Sequence, residues 1–264
     1  MRTRFAGWPE SEVAEALALL GQWRDRVLDG ALLRAGDAVV DIGSGTGLLT
    51  LGAVDRVGAD GDVLAVDVSV DALEALRRHA TAANISYLVG SAEVLPMTDE
   101  SVDALVTRSV LIYVEDKAEA LREAFRVLRR GGRMSVFEPI NSRNLRLADA
   151  VDLTPLGDLG DRVRAWNEAM YAEDDPMVNF DEHDLAALFR AAGFDDVELE
   201  LGVTEQEIPG DRYLTRVGAP GRPTTLERWR ATFGPEDVER LAAFVAERTI
   251  PSRVQHAFVT ARKS

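Results

Sequence analysis

No cysteine occurs among the 264 residues, which excludes disulfides and thiolate metal sites and makes a cytoplasmic setting the plain expectation. Only three histidines are present, and no pair of them stands with carboxylates at ligand spacing, so no metal centre is expected. No apolar run approaches the roughly 20 residues of a membrane span. Arg2 and Arg4 near the start have no apolar segment behind them, so no signal peptide is read. Basic residues are outnumbered, 30 Lys and Arg against 45 Asp and Glu, and the net charge of −15 opposes contact with phosphate backbones. A nucleic-acid partner is therefore not expected. What remains, 46% hydrophobic and 28% charged residues, is the composition of a soluble globular chain. Its length suits one large domain, or one domain with an embedded cap.

What is present is organised around Val39-Val40-Asp41-Ile42-Gly43-Ser44-Gly45-Thr46-Gly47. An apolar run surrounds Asp41, glycine recurs at every second position, and Leu48–Gly52 reads as the start of a helix. Strand, glycine turn and helix together bring backbone N–H groups and a helix N-terminus close to a ligand in a parallel α/β sheet. Glycine suits the turn because the dihedrals are costly for other residues and a side chain would block the approach. A phosphate-cradling loop would continue with Gly-Lys-Ser/Thr, which is absent. The dinucleotide fingerprint would put its third glycine at position 48, where Leu48 stands. A plain tight turn and a nicotinamide site stay open at this point.

Residues 10–33 read as helix, with Val13, Ala16, Leu17, Leu20, Val27, Leu28 and Leu32 at helical spacing. Gly21 is expected to divide it. Trp8 and Trp23 either pack on the sheet or belong to a lid. Strands are expected at Ala38–Ile42, Val63–Asp67, Ile85–Val89, Val102–Arg108 and Arg133–Phe137. The second is a continuous apolar run of the kind a sheet covered on both faces requires. Helices are expected to about Val57, over 70–83 with Leu73, Leu76 and Ala80 inward, and from Lys117 to Arg130. His79 reads as a surface residue. Arg129 and Arg130 suit a negative helix end, with Gly131 and Gly132 terminating it.

Asp67 ends the second strand, where in nucleoside-binding α/β folds an acidic side chain accepts from the ribose hydroxyls. The other reading makes it an N-cap, for which Ser69 is better placed. Farther on, Asp181 and Asp184 with Phe180 and Leu185 mark a capped helix start. That helix buries Leu185, Leu188 and Phe189 and stops at Gly193. Val197–Leu201 reads as strand six, extending toward Ile208. Pro209, Gly210, Gly218, Pro220, Gly221 and Pro223 mark a loop. Helices near 224–233 and 235–248 follow, and Gln255–Thr260 is the closing strand.

The pattern Asp41-x-Gly43-x-Gly45-x-Gly47 resembles the first motif of the class I S-adenosylmethionine (SAM) dependent methyltransferases. Gly90–Pro96 resembles the second, Ser109–Val114 the segment after strand four, and the Arg129–Gly132 passage with its flanking helix and strand the third. From about residue 36 to 140 the order and spacing are similar to a UbiE-like, type 11 methyltransferase domain. The resemblance implies a Rossmann-like, seven-stranded, mostly parallel sheet in the order 3-2-1-4-5-7-6, its last strand antiparallel, with helical cap insertions. It divides the chain into an N-terminal helical lid (1–33), a SAM-binding core (34–140), a cap insertion (141–179), core continued (180–208), a second helical insertion (209–252) and a last core strand (253–264). The first insertion holds Arg143, Arg146, Trp166, Met170, Tyr171 and Met177, and this family commonly keeps its substrate contacts there. The other reading is an apolar cap whose arginines face water. The second insertion either widens the cap or builds a homodimer contact.

Beside the resemblance stands a physical test. Asp41–Gly47, Asp67, Ser91–Glu93, Arg108–Tyr113 and Glu138–Asn141 each fall at the carboxyl end of an expected parallel strand, where ligands bind in open α/β sheets. The implied reaction is in-line displacement at the sulfonium methyl, leaving S-adenosylhomocysteine. The resemblance gives Gly43, Ser44, Gly45 and Gly47 the methionine and ribose portion; it counts Asp41 with the cofactor-binding residues, bracing the loop and facing the amino group through water. Asp67 takes the ribose, Ala92 and Glu93 the adenine side, and Arg108 with Ser109 the wall near the methyl. Val68 and Ser91 are counted with the cofactor-binding residues. Glu138 and Tyr113 are the candidate general bases, with His183 nearer the cap edge; Glu138 has the competing role of hydrogen-bonding loop backbone. A small-molecule acceptor, methylated at O, N or C, is the leading expectation. A methyltransferase of a peptide or protein group, and a SAM-binding protein that transfers no methyl, are the alternatives; a nicotinamide dehydrogenase stands behind them.

Overall fold

Val39, Val40, Asp41 and Ile42 are all buried, so β1 (Ala38–Ile42) is covered on both faces. The computed structural model to which it belongs describes residues 9–170, 175–216 and 222–264. Trp8, Tyr171, Gly218, Pro220 and Gly221 lie outside the described residues. Six further strands, β2 (Asp62–Asp67), β3 (Ile85–Val89), β4 (Val102–Arg108), β5 (Leu128–Pro139), β6 (Asp195–Pro209) and β7 (Thr249–Arg262), complete one sheet in the order β3-β2-β1-β4-β5-β7-β6. The first five strands pair in parallel, and β7 runs antiparallel to β5 with His256 opposite Pro139. This is the Rossmann-like order expected from the sequence.

The helices are α1 (Glu10–Gly30), α2 (Leu48–Val57), α3 (Val70–His79), α4 (Lys117–Val127), α5 (Leu147–Ala150), α6 (Asp158–Ala169), α7 (Glu182–Ala191), α8 (Gly210–Thr215), α9 (Thr225–Thr232) and α10 (Pro235–Ala246). Two compact units share them. One takes in the described residues up to Pro139, Phe180–Gly202 and His256–Ser264; the other is Ile140–Asn179 with Val203–Gln255.

In the first unit, Val27, Leu28 and Ala31 from α1 and its end meet Leu49 and Ala53 of α2 over Val39, Val106 and Phe137 of the sheet. Trp23 stacks on Phe137 with ring centroids 4.6 Å apart, so it takes the packing role. α3 buries Leu73 and Leu76 against Ala65 and Ile85. α7 begins with the expected capping box of Asp181 and Asp184. In the second unit, the two insertions contribute to a single apolar core: Leu153, Leu159 and Val163 from one, Leu214, Trp229 and Leu241 from the other. The units divide after Gly202 and Gln255.

Five local expectations need correction. α1 runs unbroken through Gly21, where a Cβ would meet nothing within 4 Å among the described residues. Its first half is not a core stripe either, since Leu17 is exposed. α4 ends at Val127, three residues before Arg130, because Leu128 turns extended and joins the sheet opposite Val102. Arg129 therefore pairs with Asp103 at 2.6 Å rather than facing a helix end. Residues 210–215, read as loop, form α8, and β7 begins at Thr249 rather than Gln255. Pro251 lies outside the stretch paired to β5, where its missing N–H costs no bond in that ladder.

Candidate functional site

The loop between β1 and α2 is held from beneath by a buried carboxylate. Asp41 is 1% exposed and accepts from the Thr50 hydroxyl at 2.6 Å. Burial pushes its carboxyl up to about 7, against the Thr50 hydroxyl and backbone N–H bonds and the nearby Arg108 charge. Asp41 thus braces the loop from within, and Thr50, absent from the sequence-based candidates, is its partner.

The three glycines at 43, 45 and 47 all have positive φ, at 67°, 53° and 93°. They do not serve alike. A Cβ on Gly47 would collide with Leu76 of α3, whereas one on Gly45 would meet, among the described residues, only the Gly43 carbonyl, at 4.0 Å. Among the described residues Gly45 therefore faces open space, where a ligand can approach the backbone. Ser44 is buried, its N–H donates to the Val66 carbonyl at 3.0 Å, and its hydroxyl has no partner among the described residues. A buried hydroxyl without a partner costs about 1–3 kcal/mol, which a polar ligand group at the loop would offset.

Asp67 joins this loop to β2. Its Oδ2 accepts the Gly45 N–H at 2.8 Å and its Oδ1 the Ser69 N–H at 2.8 Å. Ser69 caps α3, accepting from the Ala72 N–H at 3.2 Å. A carboxylate has about four acceptor positions, so Asp67 can still take two donors of a diol. Val68, next in the chain, is 70% exposed. The turn after β3 is tied to the same strand tip by the Gly90 N–H, 3.2 Å from the Asp67 carbonyl. In that turn Ser91 accepts from the Glu93 N–H at 3.2 Å, Ala92 is buried and Val94 is 71% exposed. The Glu93 carboxylate accepts the Asp116 N–H at 3.1 Å, tying the turn to the start of α4. Val94 escaped the sequence reading because an exposed valine in a turn carries no local signal.

At the tip of β4, Arg108 is half-buried, 3.4 Å from the Ser109 hydroxyl. Ser109 has φ +56°, a left-handed conformation rare for a residue with a side chain. What holds it there is Glu138, fully buried at the end of β5. Its Oε1 accepts the N–H groups of Val110 and Leu111 at 2.7 and 2.9 Å, and its Oε2 that of Ile112 at 3.3 Å. Burial pushes the Glu138 carboxyl up to about 7, opposed by these three bonds and by Arg108. A group so enclosed braces the turn. Tyr113, on the 3-10 turn Leu111–Tyr113, is 45% exposed. Asn141 of the fifth cluster belongs to the second unit, where its side chain donates to the Met177 carbonyl at 3.0 Å. His183 sits exposed in the first turn of α7.

Among the described residues no group of three or more His, Asp or Glu could hold a metal. The first unit thus brings together, at the carboxyl ends of β1, β2, β3, β4 and β5, an open glycine loop, a carboxylate with spare acceptor positions, two exposed valines and a braced turn.

The model of the ubiE/COQ5 methyltransferase family matches residues 16–204. The ubiquinone/menaquinone biosynthesis C-methyltransferase UbiE of Proteus mirabilis is 32% identical over 183 residues, covering 66% of this chain and 73% of that protein. The protein of the same name from Idiomarina loihiensis is 30% identical over 187 residues, covering 67% and 74%. Among solved structures, the YcgJ protein of Bacillus subtilis superposes with a TM-score of 0.62 at 19% identity, over 91% of this chain and 97% of that one.

Proposed function

The chain belongs to the ubiE/COQ5 methyltransferase family, and on that premise we propose that the strand-end crevice of its first unit holds SAM and delivers the methyl group to a carbon of a small molecule. The protein is a SAM-dependent methyltransferase. The spare acceptor positions of Asp67, beside the open loop, carry the assignment of residues. Carbon is the atom named for the UbiE relatives, and it is adopted for this chain on that ground.

The residues present fit an adenosyl ligand. Asp67 offers acceptors to a ribose diol while holding Gly45, and the Ser44 hydroxyl supplies a polar group otherwise unsatisfied. Val68 and Val94 give apolar faces for a flat base at the tips of β2 and β3, and Ser91 and Ala92 its edge. Asp41 and Glu93 act one layer back, through Thr50 and Asp116. When bound, SAM supplies an electrophilic methyl on a sulfonium sulfur, open to in-line displacement with S-adenosylhomocysteine as the product. The task left to the chain is positioning, which can be worth up to roughly 7–11 kcal/mol. Glu138 contributes by fixing the Ser109–Tyr113 turn, with Arg108 and Ser109 as its wall; it takes no proton from the acceptor. Tyr113 is the exposed polar group of that turn.

A cytoplasmic site of action belongs to the same proposal, supported by the cysteine-free composition. No helix of the described residues is long and apolar enough to cross a membrane. The test is to incubate the protein with methyl-labelled SAM and a cell extract, then separate small molecules from macromolecules. Label bound to carbon in the small-molecule fraction is expected. Label confined to protein, or bound to oxygen or nitrogen, would overturn the acceptor assignment.

A further inference from the structure

The peptide unit joining Thr46 to Gly47 is pinned at both ends. Its N–H, on Gly47, donates to the Ser44 carbonyl at 2.8 Å. Its carbonyl, on Thr46, lies 3.1 Å from His79 Nε2. Among the described residues the Thr50 N–H, four residues on, makes no bond to that carbonyl and faces the Asp41 carboxylate, whose charge it favours. A carbonyl only accepts, so the imidazole there carries its proton on Nε2, as the neutral tautomer or as imidazolium. Leu76, three residues before His79 and so on the same face of α3, occupies the space a Cβ at Gly47 would need. α3 therefore touches the loop twice, by packing at Gly47 and by a donor at Thr46.

We propose that His79 is a positioning residue for the glycine loop. Its Nε2–H fixes the plane of the Thr46–Gly47 peptide and with it the direction of the N–H groups that open α2. Exposed at the last turn of α3, it contributes little to the core, and its effect is directed at the loop. The inference rests on the assignment of that loop to the cofactor.

The test compares S-adenosylhomocysteine binding by titration calorimetry in the wild type, His79→Ala, His79→Phe, His79→Gln and Asp67→Ala, with thermal melting as the check on folding. Loss of one neutral hydrogen bond corresponds to about a two- to tenfold weaker Kd. That loss is expected for Ala and Phe, with melting unchanged. Gln places an amide N–H near the imidazole Nε2 and is expected to restore wild-type affinity, a rescue that a merely structural role would not produce. If Asp67→Ala loses affinity while His79→Ala and His79→Phe bind as the wild type, the role of His79 is overturned and the loop assignment stands. If the wild type gives no heat, or Asp67→Ala also leaves Kd unchanged, the loop assignment falls and this inference with it.

Discussion

Glu138 Oε1 accepts the Val110 N–H at 2.7 Å, joining the end of β5 to the turn that follows β4. The bond favours one of the two jobs a glutamate at a strand end can perform. With both carboxylate oxygens engaged by consecutive backbone N–H groups, it acts as a template for the turn. Glu138→Gln keeps the shape and one acceptor oxygen, so it is expected to lower kcat by about tenfold or less. A general base would cost about 10²–10⁴-fold. Steady-state rates once an acceptor is in hand, or single-turnover rates, decide between the two.

The same residue and Asp41 give stability a pH dependence of unusual sign. Both carboxyls sit at about 7 in the folded chain, above the 4.5 and 3.8 of the free groups. The folded state therefore binds more protons than the unfolded state between those limits. Their contribution is fully present below about pH 4 and is lost as pH rises through 7. The melting temperature of the wild type is expected to gain less between pH 6 and 8 than that of Asp41→Asn/Glu138→Gln. Scanning calorimetry at constant ionic strength measures the difference; parallel slopes would contradict it.

Asp67 is expected to matter for binding more than for folding. Hydrogen bonds to a charged acceptor are worth about 1.5–3 kcal/mol, so Asp67→Ala should weaken S-adenosylhomocysteine binding by about 10- to 100-fold in titration calorimetry. Melting should fall by only a few degrees, because the residue is half-buried and its two partners are backbone groups near solvent.

The loop glycines should separate under substitution. Gly47→Ala drives a methyl into Leu76 and is expected to lower the melting temperature by several degrees. Gly45→Ala meets no closer contact among the described residues than the Gly43 carbonyl, at a φ of +53°, a strain of about 1–2 kcal/mol. It should fold and yet lose ligand affinity, as melting and calorimetry on the same preparation would show.

Trp229 tests the second unit. It is fully buried against Trp166, and its indole N–H has no partner among the described residues. Trp229→Ala is expected to cost about 3–5 kcal/mol in urea unfolding. Trp229→Phe should cost far less than the change in volume suggests, since it removes a donor that was unsatisfied.

How much could be read in advance follows from where each decision is made. β1, β3 and β4 lie as expected from residue to residue, because buried strands between turn signals announce themselves locally. The glycine loop and Asp67 were legible for the same reason. The end of α4 was not: Gly131 and Gly132 are strong stop signals, but the helix ends where Leu128 finds Val102, a partner 26 residues earlier in the chain. Glu138 and His79 show the same limit at the site. Each acts on a backbone group far away in sequence, at Val110 and Thr46, and no spacing rule carries such a pairing.

β7 occupies the slot between β5 and β6, although it lies wholly beyond residue 204, where the family match stops. A gene shortened to the matched span would thus omit an inner slat of the sheet. With neighbouring strands about 4.8 Å apart, β5 and β6 would be left facing each other across about 10 Å with no ladder between them. Both would show unpaired N–H and C=O groups of the kind that recruit other chains. Expression plasmids for this protein should carry the tail through Arg262, and shortened versions are expected in inclusion bodies.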